Sequence, residues 1–369
     1  MSDRILRGGH AEMFALVASL PDQLAASADL VGLAEVAGQS GRFDRILLCG
    51  MGGSAIAGDL VQPLLQGQSR PLVVWRDYGL PHWVGPRDLV IAASYSGNTE
   101  ETLAAVAAAR EKACPILAIT SGGALAEQAA EWPHAGGCSV VELPPGLPPR
   151  AALGYSLGAL VRVLGILGLV TDAESELAGA IGALESLNAG RMAPYAAGGI
   201  PGGAQETTPG DEGQNPPVAD LADRLQGRIP VIYSTGAETH AAALRLKAQL
   251  NENSKMPACL GAFPELNHND LVGWCLAPEM RGRFVLLILR GLGENERDEC
   301  RVSVTRRLLA EDIPAAVEIT TTASGTLARI LSLVQYGDFL SCHLAQLSGV
   351  DPMPVERIQR LKEALAELD

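Results

Sequence analysis

One stretch constrains this chain more than any other: Ser94-Tyr95-Ser96-Gly97-Asn98-Thr99-Glu100-Glu101-Thr102. The apolar run Leu89-Val90-Ile91-Ala92-Ala93 before it has strand character, and the alanine-rich run Leu103 to Arg110 after it is helical. A strand, a tight polar turn and a helix N-terminus therefore follow one another. Asn98 is placed to cap the helix, with Glu101 at capping-box spacing. Ser94, Ser96 and Thr99 supply hydroxyls, and Gly97 lets the backbone approach closely. With the free N–H groups of a helix start, they form a phosphate cradle that needs neither metal nor nucleotide. A well-capped βα turn without a ligand is the plainer reading of the same residues.

The rest of the chain repeats the strand-and-helix rhythm. Short apolar strands are expected at 45–49, 72–75, 89–93, 115–119 and 139–143, then at 229–233, 284–288 and 315–319. Helical sequence lies between them, and also at 5–40, 172–193, 325–348 and 354–367. This alternation predicts an α/β fold with mostly parallel sheets covered on both faces. The turn Ser234 to Thr239 and the helix after it faintly echo residues 46–60, which points to two related βα domains. The Gly/Pro/Thr/Gln-rich passage 194–217 reads as a flexible insertion between domains 1–193 and 218–369.

Composition narrows the function classes. A chain of 369 residues is about right for two domains. The seven cysteines are odd in number and form no CxxC pair, so neither a disulfide framework nor a zinc site is expected, and a cytoplasmic location is. No apolar run approaches the length of a membrane span, and the N-terminus lacks the apolar core of a signal peptide. A net charge of −14 disfavours nucleic acid and anionic membrane as partners.

Several residues can carry chemistry. Gly50-Met51-Gly52-Gly53-Ser54-Ala55 lies between a strand and a helix and loosely fits a dinucleotide fingerprint, but no well-placed acidic residue follows it. Backbone approach at Gly52 and Gly53 to a small substrate, with Ser54 aimed at it, fits better. Gly154-Tyr155-Ser156-Leu157-Gly158 matches a nucleophile elbow in letters only, because prolines and not a strand precede it. A contact between helices through small residues is the expected role. Arg150, between prolines and an apolar helix, can offer fixed positive charge to a reacting oxygen. Glu252 closes the helix that begins near His240, where the negative helix end favours a carboxyl that holds a proton. His268, among amides and acids, suits proton shuttling or a structural hydrogen bond. It has no second ligand at metal spacing. Lys362 on the last amphipathic helix reads, by itself, as a solvated lysine.

Taken in order, Gly50 to Ser54, Ser94 to Thr102, Arg150 with Gly154-Tyr155-Ser156, Leu250-Asn251-Glu252-Asn253, Glu265 to Asp270, and Asp351-Pro352 to Lys362 resemble the bifunctional phosphoglucose/phosphomannose isomerases. These are two-domain members of the sugar isomerase (SIS) superfamily, and the resemblance spans nearly the whole chain apart from 194–217. It implies aldose–ketose isomerisation of glucose 6-phosphate and mannose 6-phosphate without metal or cofactor, as in glycolysis and gluconeogenesis. Ser94, Ser96 and Thr99 would hold the phosphate, with Ser54 and the Gly52–Gly53 backbone nearby. Glu252 would move a proton between C2 and C1, and Arg150 would stabilise the cis-enediolate. His268 and Lys362 would help open the ring. The histidine would come from the partner subunit, so a homodimer with its active site at the interface is implied. Relatives often carry threonine where this chain has Met353, which bears on the choice of epimer.

Other classes compete. A non-catalytic SIS-type regulator would keep the serines and lose the base. Glu252, Arg150, His268 and Lys362 together disfavour it, as does the lack of a helix-turn-helix pattern. An amidotransferase-type isomerase would need an N-terminal catalytic cysteine where Met1-Ser2 stand. A dehydrogenase would need a nucleotide.

Overall fold

The computed structural model describes residues 8–39, 43–132, 140–190 and 215–367. Most of the 194–217 passage lies outside these. In the first half, strands β1 (Arg45–Cys49), β2 (Leu72–Trp75), β3 (Asp88–Ala93), β4 (Ile116–Thr120) and β5 (Val140–Glu142) form a sheet in the order β2-β1-β3-β4-β5. In the second, β6 (Ile229–Ser234), β7 (Cys259–Ala262), β8 (Phe284–Leu289) and β9 (Ala316–Ile319) form one in the order β7-β6-β8-β9. Every pairing in both sheets is parallel. The order reverses direction between β1 and β3, and again between β6 and β8. Such switch points open a crevice at the carboxyl ends of the strands, where ligands of open α/β sheets bind.

The sequence predicts eight of these strands. It misses β7, an edge strand that is only partly buried and carries Gly261 in place of a side chain, so no apolar run marks it. The expected helix over 5–40 is two helices, Gly9–Ala18 and Leu20–Ala26, followed by short 3₁₀ turns. Pro21 sits in the first turn of the second helix, where its missing N–H leaves no bond unmade. One large apolar cluster joins residues of both halves, among them Phe14, Leu157, Leu246 and Phe339. The last long helix, Thr326–Ser348, is central to it and is buried along most of its length. Phe14 packs on Phe339 with ring centres 6.1 Å apart, and edge-on to His343 at 4.9 Å.

Within this interior Arg245 and Asp338 pair at 2.6 Å, each side chain only 4% exposed. Burial pushes the Asp338 carboxyl above the usual carboxylate range, although Arg245 pulls the other way. Asp338→Ala would strand a guanidinium without its counter-charge, so a loss of about 3–5 kcal/mol is expected in chemical denaturation. A loss below about 1 kcal/mol would mean that water or another group replaces the carboxylate.

Burial also lowers the His343 imidazole to about 4 from its ordinary 6.5. The unfolded chain therefore takes up a proton that the folded chain refuses between these values. The stability of the neutral ring is complete above about pH 6.5 and is lost as pH falls towards 4, by roughly 3 kcal/mol at most. His343→Leu should flatten that part of the stability–pH curve in urea melts; an unaltered slope would exclude the ring as its source.

Candidate active site

Two turns meet at the β1/β3 switch point. After β1, two residues lead into the helix Gly52–Val61; after β3, the turn 94–99 leads into the helix Glu100–Glu111. The Ser54 hydroxyl joins them by accepting the Tyr95 N–H at 3.0 Å. Inside the second turn the Ser94 and Thr99 hydroxyls lie 2.8 Å apart, and the Ser94 hydroxyl accepts the Gly97 N–H at 3.1 Å. The Ser96 hydroxyl accepts the Asn98 N–H at 3.3 Å and is exposed. Gly97 has φ +70°, and a Cβ there would stand 1.7 Å from the Gly122 carbonyl oxygen, so no other residue fits.

The expected cap differs. The helix begins at Glu100 with Thr99 at its N-cap and no side-chain cap bond. The Asn98 side-chain carbonyl instead accepts the Ala124 N–H at 3.0 Å, on the first turn of the helix Gly123–Ala130. The first-turn N–H groups of Glu100–Glu111 are thus left without a side-chain cap, and a phosphate oxygen can take that place.

Tyr95 carries the geometry onward. Its hydroxyl donates to the Pro144 carbonyl at 2.7 Å and accepts the Leu147 N–H at 3.1 Å, which pins the proline-rich passage leading to Arg150. Gly53 lets the helix start press against that passage, since a Cβ there would lie 3.0 Å from the Pro149 oxygen. Protein therefore fills the approach that a dinucleotide would need beside Gly53.

Arg150 is 5% exposed. Its Nε donates to the Asn253 Oδ1 at 2.8 Å, and its Nη2 donates to the Pro352 and Met353 carbonyls at 2.7 and 2.9 Å. Its Nη1 lies 3.6 Å from the Glu252 carboxylate. Burial lowers the guanidinium below its ordinary value and Glu252 opposes the shift; an arginine keeps its charge regardless. Glu252 is the last residue of the helix Ala237–Glu252, with its side chain 28% exposed. A fixed positive charge and a reachable carboxylate thus stand together. That pair can remove a proton beside a carbonyl and stabilise the oxyanion that forms.

Several contributors escape sequence reasoning. Asn253 is fully buried and hands the position of Arg150 on to the Ser341 hydroxyl at 3.0 Å. Arg245 donates to the Arg150 carbonyl at 2.9 Å. Lys255 Nζ donates to the Glu252 and Pro354 carbonyls at 2.5 and 2.7 Å, tying the base to the segment after Asp351. Burial, then the Arg150 charge, lowers the Lys255 ammonium. No local signal in the sequence marks these contacts, because the partners, the Glu252 carbonyl apart, are distant. The Met353 side chain packs on the interior at Gly9, where a Cβ would lie 2.9 Å from its Cγ, so its carbonyl and not its thioether meets Arg150.

Other residues stand apart. His268 is exposed at the end of the 3₁₀ turn Glu265–His268, and Lys362 is exposed on the helix Glu356–Ala366. Neither makes a hydrogen bond or ion pair with Arg150 or Glu252 within one chain. Ser156 is buried inside the helix Leu153–Ile166, and its hydroxyl donates to the Ala152 and Leu153 carbonyls, so it is no nucleophile. The neighbouring Gly158 gives the expected close helix contact, at Ser27. Among the described residues no group of three or more His, Cys, Asp or Glu is placed to hold a metal ion. No helix among them is long and apolar enough to cross a membrane.

Comparison with known proteins bears on this arrangement. Residues 42–135 match the SIS domain family, and residues 214–365 match the family described as bacterial phospho-glucose isomerase C-terminal SIS domain. The bifunctional phosphoglucose/phosphomannose isomerase of Caldicellulosiruptor bescii is 35% identical over 96% of this chain and 99% of its own. That of Aquifex aeolicus is 36% identical over 88% and 91%. In fold, the chain is similar to a hypothetical protein from Thermus thermophilus, with TM-score 0.69 and 16% identity over 96% of this chain and 90% of that one. It is also similar to the C-terminal domain of glucosamine-fructose-6-phosphate aminotransferase from Francisella tularensis, with TM-score 0.61 and 13% identity over 95% and 99%. The extent and identity of the matches to the curated relatives place the chain in the bifunctional phosphoglucose/phosphomannose isomerase family, built from two SIS domains.

Proposed function

We propose that this protein interconverts glucose 6-phosphate and mannose 6-phosphate with fructose 6-phosphate. The observation that carries the chemistry is the buried Arg150 guanidinium 3.6 Å from the Glu252 carboxylate, beside the serine-rich turns. Ser94, Ser96, Thr99 and Ser54, with the N–H groups at Gly52, Gly53 and the start of Glu100–Glu111, hold the phosphate. Glu252 removes the C2 proton of the open-chain aldose. The C–H electron pair becomes the C1–C2 double bond, and the negative charge moves to O1, where Arg150 stabilises it. Glu252 returns the proton to C1, the O2 proton passes to O1, and O2 becomes the ketone oxygen. The reaction is redox-neutral within the substrate and balances without a cofactor.

Asn253, the Pro352 and Met353 carbonyls and Arg245 hold the cation in place. Lys362 and His268 of the partner subunit assist ring opening. A homodimer is supported by Ile358, Leu361 and Leu365, which form an apolar stripe on the final helix and are 45, 58 and 44% exposed. Val272, four residues after His268, is 79% exposed. A second copy would cover these residues and bring the histidine to the site. A cytoplasmic role in glycolysis and gluconeogenesis fits the substrates.

A coupled assay with EDTA present, following fructose 6-phosphate from each aldose separately, tests the reading. Turnover of both is expected. Turnover of glucose 6-phosphate alone would narrow the substrate, and binding without turnover would make the protein a sugar-phosphate sensor. Glu252→Gln should lower kcat by about 10²–10⁴-fold while substrate still binds; near-normal kcat would remove Glu252 as the base.

A further inference from the structure

The C-terminal sheet repeats the backbone layout of the turn after β3, although the fourth-place glycine is the one residue the two turns share. The turn from β3 to its helix is 94–99, and the turn from β8 to the helix Glu296–Leu309 is 290–295, the same length. Both leave a strand at the switch point of a parallel sheet. The fourth residue is glycine in each, with φ +70° at Gly97 and +72° at Gly293. The N–H of the second residue meets a hydroxyl from the neighbouring turn in each: Tyr95 to Ser54 at 3.0 Å, and Gly291 to Thr235 at 3.2 Å.

The fifth residue differs, and its direction differs with it. Asn98 points out of the first turn, to the Ala124 N–H. Glu294 folds back into the second. Its Oε1 accepts the Gly291 N–H at 2.6 Å and the Thr235 hydroxyl, and its Oε2 accepts Arg290 Nε at 2.8 Å and pairs with Nη2 at 2.7 Å. Its side chain is 6% exposed. Arg290 is held from its other side by Glu318 at 2.7 Å. A backbone N–H, a hydroxyl and a guanidinium converging on one carboxylate are the donors that would otherwise converge on a phosphate.

We propose that the 290–295 turn is a second oxyanion cradle, alike in length and backbone to the first, whose occupant is the carboxylate of Glu294; its helix start differs in carrying a side-chain cap, the Asn295 Oδ1 accepting the Asp298 N–H at 2.9 Å. The chain therefore binds one sugar phosphate and not two, and the C-terminal half serves the site through Glu252 and Arg245 on the helix Ala237–Glu252. Vacating the cradle should open it to a free phosphate-class anion. Asn is the informative replacement, since Asn98 holds the matching place in the first turn.

The test is equilibrium dialysis of labelled inorganic phosphate against the full-length protein. Glu294→Asn should bind one more phosphate per chain than the wild type, and phosphate should raise its melting temperature by more than it raises that of the wild type. Should the Asn variant fold poorly, phosphate-dependent recovery of folded Glu294→Ala gives the same answer. No added phosphate, together with no extra stabilisation or recovery, would overturn the proposal, as would two phosphates per chain in the wild type. The count of one rests on the first cradle being the substrate's. Ser96→Ala with Thr99→Ala should remove the wild-type phosphate and leave the one gained through Glu294→Asn. The two readings therefore fail separately.

Discussion

The site depends on one requirement: a buried guanidinium must be held by hydrogen bonds and a counter-charge. A charged group taken out of water without partners costs several kcal/mol, so the surroundings of Arg150 are not free to vary. Its Nε and Nη2 donate to Asn253 and to two carbonyls of the Pro352–Met353 segment, and its Nη1 lies 3.6 Å from the Glu252 carboxylate as an ion pair. These partners come from separate parts of the chain. Satisfying Arg150 therefore fixes the end of the helix Ala237–Glu252 against the proline-rich passage and against the segment that leads into the last helix. Glu252 acquires its position as a consequence: the next residue, Asn253, accepts a hydrogen bond from Arg150, and Glu252 supplies the counter-charge.

The same logic extends one layer outward. Arg245 holds the Arg150 carbonyl while paired to Asp338, and Ser341 on the same helix as Asp338 receives Asn253. Tyr95 ties the phosphate turn to the passage that precedes Arg150. In the proposed site, the turn that would take the phosphate and the Arg150–Glu252 pair are consequently tied together by these side chains. On the proposed reaction that tie matters, because a substrate anchored by its phosphate would have to present C1 and C2 to Glu252 within a fraction of an ångström.

What can be read in advance follows from where the information sits. Ser94 to Thr102 and the apolar strand before it are local, so the βα turn is legible from spacing alone. Arg150 and Glu252 are 102 positions apart, and nothing local announces that they meet; their order within a family pattern does. Asn98 reads as a cap because it stands before a helix, yet its side-chain carbonyl serves the next helix, a choice made by tertiary packing and not by propensity. Arg245, Asn253 and Lys255 are invisible for a similar reason: their partners are main-chain carbonyls or residues about 90 positions or more away, apart from the Glu252 carbonyl. β7 escapes notice because an edge strand need not be apolar. His268 and Lys362 are exposed, and a single chain gives them no site to complete.

Capture of a phosphate dianion by a chain of net charge −14, as proposed, poses an electrostatic question, and distance answers it. At physiological salt, charges more than about 8 Å apart in solvent are largely screened, so the surface carboxylates set solubility and slow the approach of anions without deciding the affinity. What remains is the handful of donors within contact distance, oriented before the substrate arrives. The hydroxyls of Ser54 and Ser94 are buried and already hydrogen-bonded to the turn, so little entropy is lost in presenting them. Arg150 sits in a low-dielectric interior where its field is least attenuated and its geometry cannot relax. On the proposed mechanism positive charge is concentrated where negative charge would develop during reaction, and the acidic surface keeps the rest of the molecule from competing for the same anion.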